Sequence, residues 1–196
     1  MRRLALSLLA CSGVSVAMAD QVPRDALRHQ RTLVREAQRV WGLDAPVATF
    51  AAQVHQESRW RAEARSPVGA EGLAQFMPST STWIAGLYDS LGDRAPMQPV
   101  WALRALVTYD AWLHERVAAD TACERAAFML SAYNGGLGWV YKRQRLSERP
   151  GVCLGATCAI NPGITPAAQA ENAAYPAVIL RRHEPLYASW GARSCP

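Results

Sequence analysis

The apolar residues of this chain recur at intervals of three and four and alternate nowhere over any useful length, which confines it to a helical architecture. Leu27, Val34, Ala37, Val40 and Trp41 form one stripe, and Gly42 stops it. Val47, Phe50, Ala51 and Val54 form a second, in a helix running from about Val47 to Trp60. Pro78-Ser79-Thr80 opens a third helix through Trp83, Ile84 and Leu87. Pro99 precedes a fourth, with Leu103, Leu106, Val107, Leu113 and Val117 in register. Glu124 to Tyr133 gives a fifth, closed by Asn134-Gly135-Gly136. Residues 149 to 168 are dense in Pro and Gly, show no period and read as a loop. A last helix is expected to start near Tyr175-Pro176 and to carry Val178, Ile179 and Leu180.

The N-terminus has a different character. Arg2 and Arg3 precede an apolar stretch that begins at Leu4 and continues through Val16, and Ala17-Met18-Ala19 is an A-x-A cleavage signature. This predicts a signal peptide over residues 1–19 and an exported product in the periplasm or cell wall, with no transmembrane anchor after cleavage. A lipoprotein signal ending at Cys11 is the competing reading, with only a very short apolar run before the cysteine. The remainder, residues 20–196, suits one domain with a full core. Loss of Arg2 and Arg3 lowers the formal charge from +5 to +3. The remaining cations are scattered arginines with a single lysine, Lys142. With no basic stripe and no recognised motif, nucleic acid is not an expected partner, whereas a mild positive charge suits an anionic polymer.

Four cysteines follow the signal: Cys123, Cys153, Cys158 and Cys195. An even number in an exported chain favours disulfides, with three connectivities open. Cys153 and Cys158 flank a four-residue loop containing Gly155, so a local bridge is expected there, leaving Cys123 with Cys195. Zinc is disfavoured by spacing: no Cys-x-x-Cys occurs, and the partner motif that would accompany His55-Gln56-Glu57 in a zinc deaminase is missing.

One acid interrupts the apolar pattern. Phe50, Val54 and Glu57 step by four and three, so Glu57 continues the face of the second helix. A carboxyl at the edge of an apolar face is desolvated and keeps its proton to higher pH, which suits a general acid. An exposed Glu near a helix end, paired with Arg59 or Arg61, gives the same local pattern. Behind it lies Ser66-Pro67-Val68-Gly69-Ala70, a small-residue turn, followed by Gly72-Leu73-Ala74-Gln75-Phe76-Met77-Pro78. Gln75 offers an amide donor and acceptor, and Ala132-Tyr133-Asn134-Gly135-Gly136 places a phenol and an amide at a helix end.

Taken together and in order, Glu57-Ser58, the 66–80 segment, the Tyr133 motif and a Glu-x-x-x-Tyr at Glu171 to Tyr175 resemble the soluble lytic transglycosylases, bacterial enzymes related to goose-type lysozymes. The resemblance implies a mainly α, lysozyme-like orthogonal helical domain with a substrate groove and little or no β-sheet. It implies Glu57 as the single catalytic acid/base, and Ser66, Gln75, Met77, Tyr133, Glu171 and Tyr175 as groove residues, with Tyr133 bonding near Glu57. Ser58, Gly72 and Asn134 would hold the scaffold. The implied substrate is the peptidoglycan glycan strand, cleaved between N-acetylmuramic acid and N-acetylglucosamine with a 1,6-anhydro end as product, without metal or cofactor. Small enzymes of this kind also serve secretion, conjugation or phage assemblies. A hydrolytic muramidase and a catalytically silent wall-binding component are the alternatives. Departures from the family pattern are Ala74 where Met is usual, a charge at Glu71, and Pro176 after Tyr175.

Overall fold

The computed structural model describes residues 21–195; the expected signal peptide and Cys11 lie outside them. Among the described residues seven α-helices follow in order: α1 (Arg24–Trp41), α2 (Val47–Ser58), α3 (Pro78–Leu87), α4 (Pro99–His114), α5 (Ala122–Gly135), α6 (Leu137–Leu146) and α7 (Pro166–Ala177). A π-helical turn (Val178–His183) and a 3₁₀ segment (Glu184–Trp190) continue from α7. Among the described residues no strand forms, and extended pairing is limited to the Arg65–Glu71 and Glu71–Phe76 bridges. The expected helical class is therefore the observed one.

α2 is the axis of the molecule. Every residue from Val47 to His55 is buried, so most of the helix is packed on all sides and not along the Phe50–Val54 stripe alone. It lies against α1, the π turn and the 3₁₀ segment, while α4 packs on α1 and α5, and α5 on α6 and α7. Phe50, Val54, Leu103 and Leu106 are wholly shielded from solvent, each contributing about 1.5–3 kcal/mol by burial. α2 then stops abruptly. Arg59 and Trp60 take left-handed φ values of 51° and 65°, a conformation that costs a non-glycine residue on the order of 1 kcal/mol or more. Trp60 offsets that cost by packing at 1% exposure and by donating its indole N–H to Tyr187 Oη at 2.8 Å. The chain thus leaves the helix directly after Glu57-Ser58 and loops back over its end.

Three elements differ from the periodicity. In α1, Leu27 is 62% exposed, while Ala26, Leu33, Glu36 and Ala37 are buried. The buried Glu36 carboxylate accepts Arg104 Nε from α4 at 2.8 Å and Arg35 Nε at 3.0 Å, so a charge cluster occupies the α1–α4 seam. α7 begins at Pro166, not near Tyr175-Pro176. Thr165 caps it, accepting the Ala168 N–H at 3.3 Å, and Pro166 takes the first position. Pro176 sits instead near the helix end, where its missing N–H precedes the switch to π geometry. α6 has no counterpart in the apolar pattern because only Val140 and Arg143 of it are buried.

Both expected disulfides are present, Cys123–Cys195 and Cys153–Cys158. Glu124 ties the second to α5, its Oε2 accepting the N–H groups of Cys153 at 2.7 Å and Leu154 at 2.9 Å.

Candidate active site

Glu57 lies where α2 reaches the floor of a groove, and two cavities meet at it. One, of about 270 Å³, is lined by Ser66, Gln75, Met77, Tyr133 and Glu171. The other, of about 310 Å³, is lined by Gln56, Tyr175 and Val178, and shares Glu57, Asn134 and Glu171 with the first. Residues separated by more than a hundred positions in the chain thus converge on one carboxyl. Ser58 stays behind the groove: it is 1% exposed, and its hydroxyl donates to Val54 O at 3.4 Å.

The near wall is a loop that closes on itself. The Ser66 N–H donates to Ala70 O at 3.0 Å, and Ser66 Oγ accepts the Ala70 N–H at 2.9 Å, pinching the Pro67-Val68-Gly69 turn. Gly72 has φ +73°, and a Cβ there would lie 1.9 Å from Pro96 O, so only glycine fits. Gln75 is itself left-handed, at φ 46°. It spends both amide hydrogens inward, on Ala64 O at 3.1 Å and Gly72 O at 2.9 Å. The donor read from the sequence is thus consumed by the loop, and its carbonyl oxygen is the atom left for a ligand. Glu71, the family departure, is 8% exposed. It pairs with Arg65 of the loop at 2.7 Å and with Arg94 from the segment between α3 and α4, so its charge ties the two together. Met77 stands at the rim, 40% exposed.

Both tyrosines line the cavities at Glu57, but the one bonded to it is not Tyr133. Tyr133 donates to Ala74 O at 2.7 Å and so braces the loop. It is Tyr175 whose hydroxyl donates to Glu57 Oε1. The sequence offered no means of ranking the two, because both stand at helix positions whose facing depends on how α5 and α7 pack. Burial pushes the Glu57 carboxyl up to about 8; the Tyr175 hydrogen bond opposes the rise and the Glu171 charge adds to it. Burial, followed by the neighbouring Glu57 charge, also raises Tyr133 and Tyr175 well above the ordinary phenol range. The site therefore holds a neutral carboxyl at neutral pH, facing a cavity and oriented by a phenol: a proton donor.

The far wall rests on a polar chain that the motifs did not reveal. Glu171 accepts Asn134 Nδ2–H at 3.1 Å, and Asn134 Oδ1 accepts Asn172 Nδ2–H at 2.8 Å. Asn172 Oδ1 in turn accepts Ser131 Oγ–H at 3.0 Å and Arg143 Nη1–H at 2.6 Å. Arg143 is 1% exposed and also donates to Ile160 O at 3.0 Å and Gln169 Oε1 at 2.8 Å. α6 carries both Arg143 and Arg145, and nothing in the sequence sets the buried one apart. Tyr109, which lines the first cavity, was likewise not anticipated, and Thr80, the last residue of the motif segment, lines it too.

The fold is helical, and its groove has on its floor a glutamate whose carboxyl burial holds up to about 8. The sequence profile of the transglycosylase SLT domain family matches residues 32–151, and the chain belongs to that family. The match covers the Glu57, loop and Tyr133 elements but stops before Glu171 and Tyr175. The chain is 36% identical over 103 residues to membrane-bound lytic murein transglycosylase F of Maricaulis maris, covering 52% of this chain and 21% of that protein. It is 30% identical over 102 residues to the soluble lytic murein transglycosylase of Escherichia coli, covering 50% of this chain and 15% of that protein. It thus spans only a small part of the length of these relatives. Among solved structures it superposes on a complex of the 70-kDa soluble lytic transglycosylase with bulgecin A at a TM-score of 0.60 and 24% identity, covering 85% of this chain and 25% of that one. The lytic transglycosylase Slt of Pseudomonas aeruginosa, solved as an inactive mutant, gives 0.56 at 21% identity, covering 86% and 25%. The fold is the lysozyme-like helical fold of these proteins.

Proposed function

We propose that this protein is a peptidoglycan lytic transglycosylase, exported to the periplasm or cell wall, in which Glu57 acts alone as acid and then base. The carrying observation is the setting of Glu57: it lies at the junction of two cavities with one phenol on its Oε1, and burial holds its carboxyl up to about 8. In the first step its proton passes to the glycosidic oxygen between N-acetylmuramic acid and N-acetylglucosamine, and the C1–O bond breaks. The N-acetyl carbonyl of the muramic sugar supports the positive charge developing at C1. The Glu57 carboxylate then takes the proton of the C6 hydroxyl, whose oxygen bonds to C1. The product is a 1,6-anhydromuramyl end, and Glu57 is again neutral. A hydroxyl already held within the substrate replaces water with a large gain in effective concentration.

The first cavity supplies the contacts. Ser66 Oγ accepts from the loop and keeps its own hydrogen for an acetamido or hydroxyl oxygen, while Gln75 presents a carbonyl and Met77 an apolar rim. Glu171 favours a second reading, a hydrolytic muramidase. It is an exposed carboxylate on the wall shared by both cavities, where it could direct a water. The product decides between the two. Mass spectrometry of muropeptides released from purified sacculi should show anhydro ends, lighter than reducing ends by one water. Reducing ends would sink the lytic reading. No release at all, with the fold intact, would leave a wall-binding component.

A further inference from the structure

Beneath Glu57 lies a polar pair that the mechanism above does not use. Gln53 is one turn before Glu57 on α2, and Asp110 lies on α4; both are fully buried in the core. Gln53 Nε2–H donates to Asp110 Oδ1 at 3.3 Å. Their other oxygens, Gln53 Oε1 and Asp110 Oδ2, are sealed from solvent and have no hydrogen-bond partner among the described residues. Two orphan acceptors on two side chains already in contact is an unfavourable arrangement, because each has given up water without gaining a donor. It has one economical resolution. A single proton placed on Asp110 Oδ2 converts that atom into a donor and satisfies Gln53 Oε1 in the same stroke.

We propose that Asp110 carries a proton on Oδ2 and donates it to Gln53 Oε1, closing a reciprocal acid–amide pair that fixes the face of α2 bearing Glu57. Asp110 is then a positioning residue, acting through Gln53 one helical turn from the reacting carboxyl. The electrostatic surroundings agree. The titratable groups that bear on Asp110 are Glu57 from α2, Tyr133 from α5, Tyr175 from α7 and Tyr109 on its own helix. Glu36 of α1 is engaged earlier along α4 by Arg104. Burial first, and then the Glu57 charge, hold the Asp110 carboxyl well above the usual carboxylate range, against the opposing bond from Gln53. A neutral partner beneath the floor also means that Glu57, when it becomes the base, meets no second negative charge at Asp110.

The inference rests on the reading of Glu57 as acid/base for its catalytic half but not for its protonation half, and the experiment separates them. Stability is measured by denaturant titration of the whole protein from pH 4 to 8, for wild type, Asp110→Asn and Asp110→Leu. Asp110→Asn can rebuild both bonds as an amide–amide pair. Because Asp110 is neutral folded and ionised unfolded, the Asn variant should gain on wild type progressively as pH rises above about 4. A difference that does not change with pH overturns the protonated acid. In activity assays Asp110→Leu, which strands the Gln53 amide, should lower kcat tenfold or more with KM within about twofold. Asp110→Asn should recover most of that loss. Equal activity of the Leu and Asn variants, or a loss confined to KM, overturns the positioning role. If Glu57→Gln stays active, the acid/base reading fails on its own, and the pH dependence of stability still tests the pair.

Discussion

A carboxyl that keeps its proton to about pH 8 ties chemistry and stability together at one residue. In the unfolded chain Glu57 ionises near 4.5, so folded protein holds an extra proton between about 4.5 and 8. Its contribution is therefore full below about 4.5 and declines as pH rises toward 8, by up to about 1.4 kcal/mol per unit. Glu57→Gln removes that decline. The variant should be inactive on sacculi, and its advantage in denaturant midpoint should grow from pH 5 to 8 and vanish below the lower limit. A constant offset would show that the carboxyl ionises freely. Wild-type kcat/KM should fall on the alkaline side near pH 8 as the acid form is lost. Tyr175→Phe tests the tuning. The Tyr175 bond opposes the rise, favouring the ionised form, so its removal should move the alkaline limb upward by about one unit. It should also lower kcat, because the base form becomes harder to reach. A limb that stays in place or moves down in an initial-rate pH profile would remove Tyr175 from this role.

At the level of elements, the loop between α2 and α3 decides whether Glu57 faces anything. Gly72→Ala drives a methyl into the Pro96 carbonyl at 1.9 Å and adds a side chain where φ is +73°. A loss of more than about 3 kcal/mol is expected, together with loss of activity, because Gly72 O is also a ligand of the Gln75 amide. Wild-type thermal stability with near-normal activity would mean that the Pro96 segment yields easily. This loop was largely legible in the sequence. Gly, Pro and small residues mark turns by local dihedral demands, and these survive whatever packs around them. What was not legible depends on packing. The apolar spacing turns Leu27 of α1 inward, whereas Glu36 brings a charge cluster into the seam with α4. Tyr175-Pro176 resembles a helix start, while the cap of α7 is a single Thr165 hydroxyl. Tyr175 and not Tyr133 bonds Glu57, and only the α5–α7 packing settles which phenol meets it. Asp110 and Gln53 escaped notice since each alone looks like an ordinary polar residue beside an apolar stripe.

On the scale of the whole molecule, the chain winds around α2 and its C-terminal end returns to the start of that helix. Ser194 N–H donates to Thr49 Oγ1 at 3.1 Å, and Ala48 N–H donates to Ala192 O at 3.1 Å. The Cys123–Cys195 bridge anchors this return to α5, closing a span of 72 residues. Cys153–Cys158 closes a span of only 5. Loop-closure entropy grows with the logarithm of span, so the long bridge should contribute about 4 kcal/mol and the short one about 2. For a chain of this size that corresponds to a fall in Tm of about 10 °C for Cys123→Ser/Cys195→Ser, and about half that for Cys153→Ser/Cys158→Ser. The long bridge guards the N-terminal end of α2, and Glu57 lies at the opposite end. Activity at 25 °C should therefore stay within about twofold in the Cys123→Ser/Cys195→Ser variant even as its Tm drops. Paired calorimetry and muropeptide-release assays check both halves. A larger Tm loss from the short bridge would mean that the 149–168 loop, through Glu124, holds α5 in place more than the C-terminal wrap does.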